Sequence, residues 1–233
     1  MKSYNQYCAV AKALDAVGDR WTLLIIRELV SQGPCRYTDL MSGLPGIATN
    51  LLADRLALLE ESGIVWRESA PPPVAATLYR LTDAGADLKP VLDALGIWGV
   101  RFMSEKHETD QFRSHWFKRP VSIFLKDRAP NEPPVSIQLS PEDYPAVIEA
   151  SRDGIRTRPG RIESPDLELS GPPQLILGTL SGRLSVKEAK AAGLTLKGKV
   201  AVLNRLRPDP AEVSVASVGD TVGAAHSANL RGV

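Results

Sequence analysis

Three side chains suited to hydrogen bonding with the edge of a planar ring system share one side of a short segment. In LPGIATNLLADRLALLEESGIV, residues 44–65, Leu52, Leu56 and Leu59 recur at i, i+4 and i+7 and predict a helix with that stripe buried. Thr49, Asn50 and Asp54 lie on the other side. An asparagine can pair bidentately with an adenine edge, and an aspartate can accept from the cytosine amino group. Thr38, Arg36 and Arg55 lie close by in sequence, and Arg67 and Arg80 follow. Guanidinium groups at such positions suit phosphate oxygens, and Arg55 also suits a base. A helix face that is merely solvated would carry the same residue types.

Other chemistries find little material. His107, His115 and His226 stand in no triad-like, metal-like or phosphate-loop context, so no catalytic residue and no metal ligand is assigned, and no cofactor is expected. Two cysteines, Cys8 and Cys35, are too few for a disulfide framework or a thiolate zinc site. The net charge of +1 gives no sign of a polyanionic partner, and residues 1–107 hold eleven Lys/Arg against twelve Asp/Glu. Any phosphate contacts would come from a few placed arginines. The N-terminus is broken by Lys12 and Asp15 and is no signal peptide, and no apolar run spans a membrane. A cytoplasmic protein with no membrane partner is expected.

The elements that must hold these residues can be read from periodicity. CAVAKALDAVG and RWTLLIIRELVSQG predict two helices, with Val10, Leu14 and Val17 as the stripe of the first. YTDLMSGLPG holds a short third helix and a sharp turn before the quoted helix, which stops at Gly63. GIVWRES and ATLYRLT predict two strands joined by a proline-rich loop. A last helix is expected from Thr82 to about Glu105, kinked or split at Pro90, with Leu88, Val91, Leu92, Leu95, Trp98 and Phe102 on one stripe.

From about residue 116 the pattern changes. PVSIFLKD and PPVSIQLS alternate like half-buried strands, VIEASRDGIRTRPGR predicts a hairpin turning at Asp153-Gly154, and DLELSG a further strand. GPPQLILGTLSG and SVKEAKAAGL predict helices, the second with a capping box of Ser185 and Glu188. LTLKG and VAVLNRL predict a strand and a closing helix. Residues 208–233 have the composition of a disordered tail. Arg152, Arg156, Arg158 and Arg161 cluster on the hairpin, as a solvated face or as a contact for an anion or DNA flanks.

Taken in order, Cys8, ALDAVGDRWTLLIIREL, LPGI, LLADRLALLEESGIV, LYRLT and GADLKPVLDALGIWG closely resemble the HxlR-type winged helix-turn-helix transcriptional regulators. The resemblance covers about residues 4–105. It implies an α+β protein whose residues 1–107 form a winged helix-turn-helix, mainly α with a two-stranded wing, that binds DNA and dimerises. It implies a homodimer paired through the first and last helices of that domain, with two reading helices in successive major grooves of a pseudo-palindromic operator. The family often has serine where Ala48 stands, so Thr49 is expected to take over the N-cap and start the helix one residue late. The wing tip SAPPPVAA has no Lys or Arg. Cys8 matches a cysteine that senses oxidants or electrophiles in some members, and is a candidate redox sensor or a small buried hydrophobe. Lys12, one turn on, is a candidate for lowering its pKa. A Cys8–Cys35 bridge between subunits stays open.

Residues 116–207, best over 165–206, resemble sterol-carrier-protein-like domains, α+β with a small twisted sheet. That implies an apolar small-molecule effector, with Leu175, Ile176, Leu180 and Leu184 as candidate pocket residues; the same residues would be core in a filled domain. The function expected is a dimeric, sequence-specific DNA-binding regulator, a repressor or a ligand-tuned one. The alternative is a lipid or small-molecule binding protein whose N-terminal domain mainly dimerises.

Overall fold

Leu52, Leu56 and Leu59 are almost completely enclosed, and the elements around them follow from that. The computed structural model describes residues 3–71, 75–103, 107, 109–141 and 143–208. The chain forms two compact units that divide between Ala94 and Leu95. Among the described residues no helix is long and apolar enough to cross a membrane.

The first unit begins with α1 (Ala9–Val17) and α2 (Thr22–Gln32). A two-residue strand, β1 (Cys35–Arg36), leads into α3 (Tyr37–Gly43), and a turn leads into α4 (Thr49–Glu61). Ile25, Ile26 and Leu29 of α2 and Leu40 of α3 meet the leucine stripe of α4 in one core, closed by Leu44, Ile47, Ile64 and Val65. Helix α4 ends where expected. Gly63 has φ +68, its N–H bonds the Glu60 carbonyl at 3.0 Å, and the Ile64 N–H bonds the Leu59 carbonyl at 2.9 Å. That double closure needs a left-handed residue after the helix, which glycine adopts without cost.

The two expected strands are β2 (Val65–Ala70) and β3 (Ala76–Leu81), paired antiparallel, with β1 on the other side of β3. Pro72, Pro73 and Val74 of the loop between them lie outside the described residues. Thr82 clamps the base of this hairpin. Its hydroxyl donates to the Gly63 carbonyl at 2.7 Å and accepts from the Gly85 N–H at 3.1 Å, capping α5 (Asp83–Ala86).

The expected long helix is split, as Pro90 requires. α5 stops at Ala86, and α6 (Lys89–Gly99) carries Pro90 in its first turn, where a missing N–H costs nothing, before a short 3-10 turn at Val100–Phe102. Only Leu88 and Leu92 of the expected stripe pack on the first core; Val91, Leu95, Trp98 and Phe102 are exposed. In α1 likewise Val17 is buried while Val10 is 68% exposed and Leu14 is open.

Beyond α6 and the turn at Val100–Phe102, the second unit continues with a 3-10 turn, Ser114–Phe117, and α7 (Lys118–Phe124). This corrects the reading of PVSIFLKD as a strand. Phe117, just before it, and Val121 and Phe124 are buried at a helical spacing, and only β4 (Leu125–Asp127) is extended. β5 (Val135–Ser140), β6 (Ala146–Ser151) and β7 (Gly154–Pro159) form an antiparallel meander. Ser151 pairs with Gly154, so the turn residues are Arg152 and Asp153, one position earlier than expected. β8 (Leu167–Ser170) runs parallel to β5, followed by α8 (Pro173–Leu180), α9 (Val186–Ala191) and β9 (Thr195–Gly198). The capping box of Ser185 and Glu188 forms as expected. The closing helix α10 (Val202–Arg205) is short, and β10 (Leu206–Pro208) pairs with β4.

The sheet order is β7-β6-β5-β8-β9. Ile137, Leu139, Ala146, Ile148, Ala150, Leu167 and Leu169 turn to one face, where Phe117, Val121, Ile176, Leu180 and Ala189 cover them. The expected disordered tail, 208–233, lies outside the described residues except for Pro208.

Candidate nucleic-acid interface

Between α3 and α4 the chain turns sharply at Gly46, φ +90, and two buried side chains, Leu44 and Ile47, anchor the turn in the core. Ala48 is extended (φ −75, ψ 144) and occupies the N-cap position with no side-chain cap. Its carbonyl accepts the first helical bond from Leu52 N–H at 3.0 Å. Thr49 is therefore the first helical residue and does not take over the cap. The backbone of Ala48 adopts the cap geometry unaided, and the Tyr37 hydroxyl donates to the Thr49 carbonyl at 2.5 Å, tying the start of α3 to the start of α4. The first N–H groups of α4 are left without a side-chain acceptor at the positive end of the helix dipole.

Thr49, Asn50 and Asp54 are all exposed, and so are Ala53 and Ala57. Small residues between polar ones let a flat partner approach closely. Thr38 is exposed on the first turn of α3. Arg36, also exposed, precedes α3, and its backbone N–H donates to the Asp39 carboxylate at 2.9 Å.

The remaining arginines meet carboxylates. Arg55 reaches back to Asp19 in the α1–α2 loop at 2.9 Å and keeps 21% of its side chain exposed. It is an internal tie more than a free cation. Arg67 on β2 binds Glu60 of α4 at 2.6 Å. Arg80 on β3 binds Glu68 across the hairpin at 2.6 Å and lies 6.0 Å above the Trp66 ring. Arg67 and Arg80 are open enough to exchange carboxylate for phosphate, because such pairs contribute little in water. Asp19, Glu60, Glu68 and Tyr37 escaped sequence reasoning. Their partners are set by strand register and helix packing, for which a single sequence offers no signal.

A profile of the HxlR-like helix-turn-helix family matches residues 16–107. The uncharacterized HTH-type transcriptional regulator YvaP of Bacillus subtilis is 33% identical over 92 residues, which are 40% of this chain and 84% of that protein. The chain belongs to the HxlR-like helix-turn-helix family. The HTH-type transcriptional regulator YodB of Bacillus subtilis is 34% identical over 99 residues, 42% of this chain and 88% of YodB. The solved reduced form of YodB aligns over 44% of this chain and 100% of its own, at 30% identity and a TM-score of 0.37.

The HxlR-like unit holds two unlike cysteines. Cys8 is exposed at the N-cap of α1, and the backbone N–H groups of Ala11 and Val10 hold its thiol below the ordinary value. Lys12 is not the cause; its ammonium pairs with Asp15 at 3.5 Å. Cys35 is buried, its thiol is pushed up to about 12 by burial and by Asp39 and Glu28, and it contacts the Gly33 carbonyl at 3.3 Å. A Cys8–Cys35 bridge would have to draw Cys35 out of the core.

Outside the HxlR-like unit, Ile176 and Leu180 are core, with Leu175 and Leu184 packed against it. The space beside Leu180, lined also by Pro120, Val121, Phe124, Leu125, Leu177 and Ser181, is about 10 Å³, room for one water. Among the described residues no group of His, Cys, Asp and Glu could hold a metal ion. His107 is exposed, His115 stacks edge-on to Trp116 at 5.9 Å, and His226 lies outside the described residues.

Proposed function

We propose that the chain is a homodimeric, sequence-specific DNA-binding transcriptional regulator. In this reading α4 lies in the major groove and presents Thr49, Asn50 and Asp54 to base edges. The exposed polar face of α4, held by a core-anchored turn in a helix-turn-helix family member, is the observation that carries it. Arg36, Thr38, Arg67 and Arg80 contact phosphates, the last two by exchanging their carboxylate partners. The uncapped N-terminus of α4 favours a phosphate as well.

Dimerisation is supported by the apolar stripes that the protomer leaves uncovered, Tyr7, Val10 and Leu14 near and on α1, and Val91, Leu95, Trp98 and Phe102 on and after α6. Apolar surface of this kind gains about 25 cal/mol per Å² when buried. A two-fold dimer matches an operator with inverted half-sites about one helical turn apart. Selection from a random duplex pool tests the reading. Enrichment of an inverted repeat by the wild type, lost with Asn50→Ala at unchanged Tm, is expected. No enrichment by a folded dimer would sink it.

Cys8 supports a redox layer on this function, since an exposed thiol with a lowered pKa is the reactive kind. The reading of the second unit as a sterol-carrier-protein-like effector domain draws support from its α+β make-up, a small sheet with helices over one face. Its filled core favours a supporting role over an apolar pocket at Leu175, Ile176, Leu180 and Leu184, and gives the lipid-binding alternative little to stand on.

A further inference from the structure

The second unit's sheet has one face under helices; the other carries Gln138, Glu149, Arg156 and Arg158 beside a buried Val147. Ile155 of β7 packs toward the core, so strand alternation sends Arg156 and Arg158 to the opposite face. Arg158 stands in one row with Val147 of β6 and Gln138 of β5. Over that row passes the connection from β7 to β8, which must cross β6 and β5. Gln138 fastens it: its amide donates to the Gly160 carbonyl at 3.3 Å and its oxygen accepts from Ile162 N–H at 2.9 Å. Arg161 sits on this strap between the two anchored residues. Arg152, Arg156, Arg158 and Arg161 are all exposed. Among the described residues the ion pair in this group is Arg158 with Glu149, at 3.2 Å and open to solvent.

We propose that this arginine face of the second unit binds the phosphate backbone of duplex DNA without reading its sequence. The proposal rests on the reading of the chain as a DNA-binding regulator and adds a second contact to it. The grouping of exposed arginines argues for it, not an excess of charge. Residues 1–107 carry no positive excess, and Arg55, Arg67 and Arg80 there already hold carboxylates. The hairpin and strap, residues 146–166, hold four arginines against Glu149, Asp153, Glu163 and Asp166, and Asp166 is already engaged by the Ser136 N–H and the Lys199 ammonium. Arginine suits phosphate because its planar fork donates two parallel bonds. Charges on an edge strand also discourage strand addition. That role does not account for Arg161, which is off the strand and anchored to the same face.

The test is the salt dependence of binding of the full chain to a duplex of arbitrary sequence, about 40 base pairs long. Each phosphate neutralised adds about 0.9 to the slope of log K against log salt. Replacing Arg156, Arg158 and Arg161 together by glutamine is expected to flatten that slope by about 2 to 3, at unchanged Tm, and the triple lysine variant to keep most of it. Equal slopes for wild type and the glutamine variant would overturn the proposal, as would absence of duplex binding by the wild type at low salt. Unchanged DNA binding with lost binding to polyglutamate would overturn it in favour of an acidic protein. Failure of the α4 reading is seen separately: Asn50→Ala then leaves the ratio of selected to scrambled sequence unchanged, while the slope still reports on the arginine face.

Discussion

Glu28 and Gly43 occupy one site between them: a Cβ added to Gly43 would lie 2.1 Å from Glu28 Oε2. The Glu28 side chain is fully buried and accepts from Arg27 at 2.9 and 2.7 Å and from Gln32 at 2.7 Å. A charged group in the core is tolerated because it is paired and hydrogen bonded. The end of α3, just before the turn into α4, can close on it only because residue 43 has no side chain. Gly43→Ala should therefore lower stability by about 1–3 kcal/mol, the usual cost of overpacking. Thermal unfolding checks this, and an unchanged Tm would show that Glu28 can move aside.

Ala48 has the backbone geometry of an N-cap and lacks only the oxygen. Ala48→Ser should raise stability by about 1 kcal/mol, through a bond from the Ser hydroxyl oxygen to a first-turn N–H. A chemical denaturation midpoint at or below the wild-type value would argue that these N–H groups are already satisfied.

Arg55 is tied to Asp19, so its replacement should register as stability before it registers as affinity. A double-mutant cycle over Asp19→Ala and Arg55→Ala should return a coupling of about 0.5–1 kcal/mol, small because Asp19 is more than half exposed. A coupling of zero, with operator affinity lost in Arg55→Ala alone, would return Arg55 to the DNA surface.

Asp127 and Arg205 tie the end of β4 to the end of α10, at 2.8 and 2.9 Å with both side chains nearly enclosed. The hydrogen bonds from Arg205 hold the Asp127 carboxyl below its ordinary value, with the Ala129 N–H and the Arg205 charge adding to this. A carboxyl depressed in the folded state stabilises above its unfolded pKa, about 3.9, and loses that contribution as pH falls through the folded value. The second unit should thus lose stability in acid below about pH 4. Asp127→Asn should cost about 2 kcal/mol at neutral pH and flatten the acid limb of Tm against pH. An acid limb as steep as in the wild type would assign the effect to other carboxyls.

The two cysteines should separate by alkylation of the native protein. Cys8 should react readily and more completely at neutral pH than an ordinary thiol, while Cys35 should react only after unfolding. Mass mapping of the alkylated peptides checks this, and native labelling of Cys35 would mean that β1 opens.

Much of this protein is determined by local pattern. The leucine stripe of α4, its stop at Gly63, the strands β2 and β3, the break at Pro90 and the capping box at Ser185 depend on neighbours a few residues apart, and each stands in the sequence as plainly as in the fold. Where two periods fit one short run, the sequence does not choose. Val121, Ile123 and Leu125 alternate like a strand, while Phe117, Val121 and Phe124 recur like a helix; the chain takes the helix as far as Phe124, with Phe117 and Val121 in the sheet's core, and becomes extended only from Leu125. The same holds for the site. That Thr49, Asn50 and Asp54 would be exposed was legible because a helix has two sides and the leucines claim one. That Arg55 belongs to Asp19, Arg67 to Glu60 and Arg80 to Glu68, and that Gln138 fastens the strap at Gly160 and Ile162, was decided by packing and register. Those contacts depend on how separate elements meet, and no local preference encodes them.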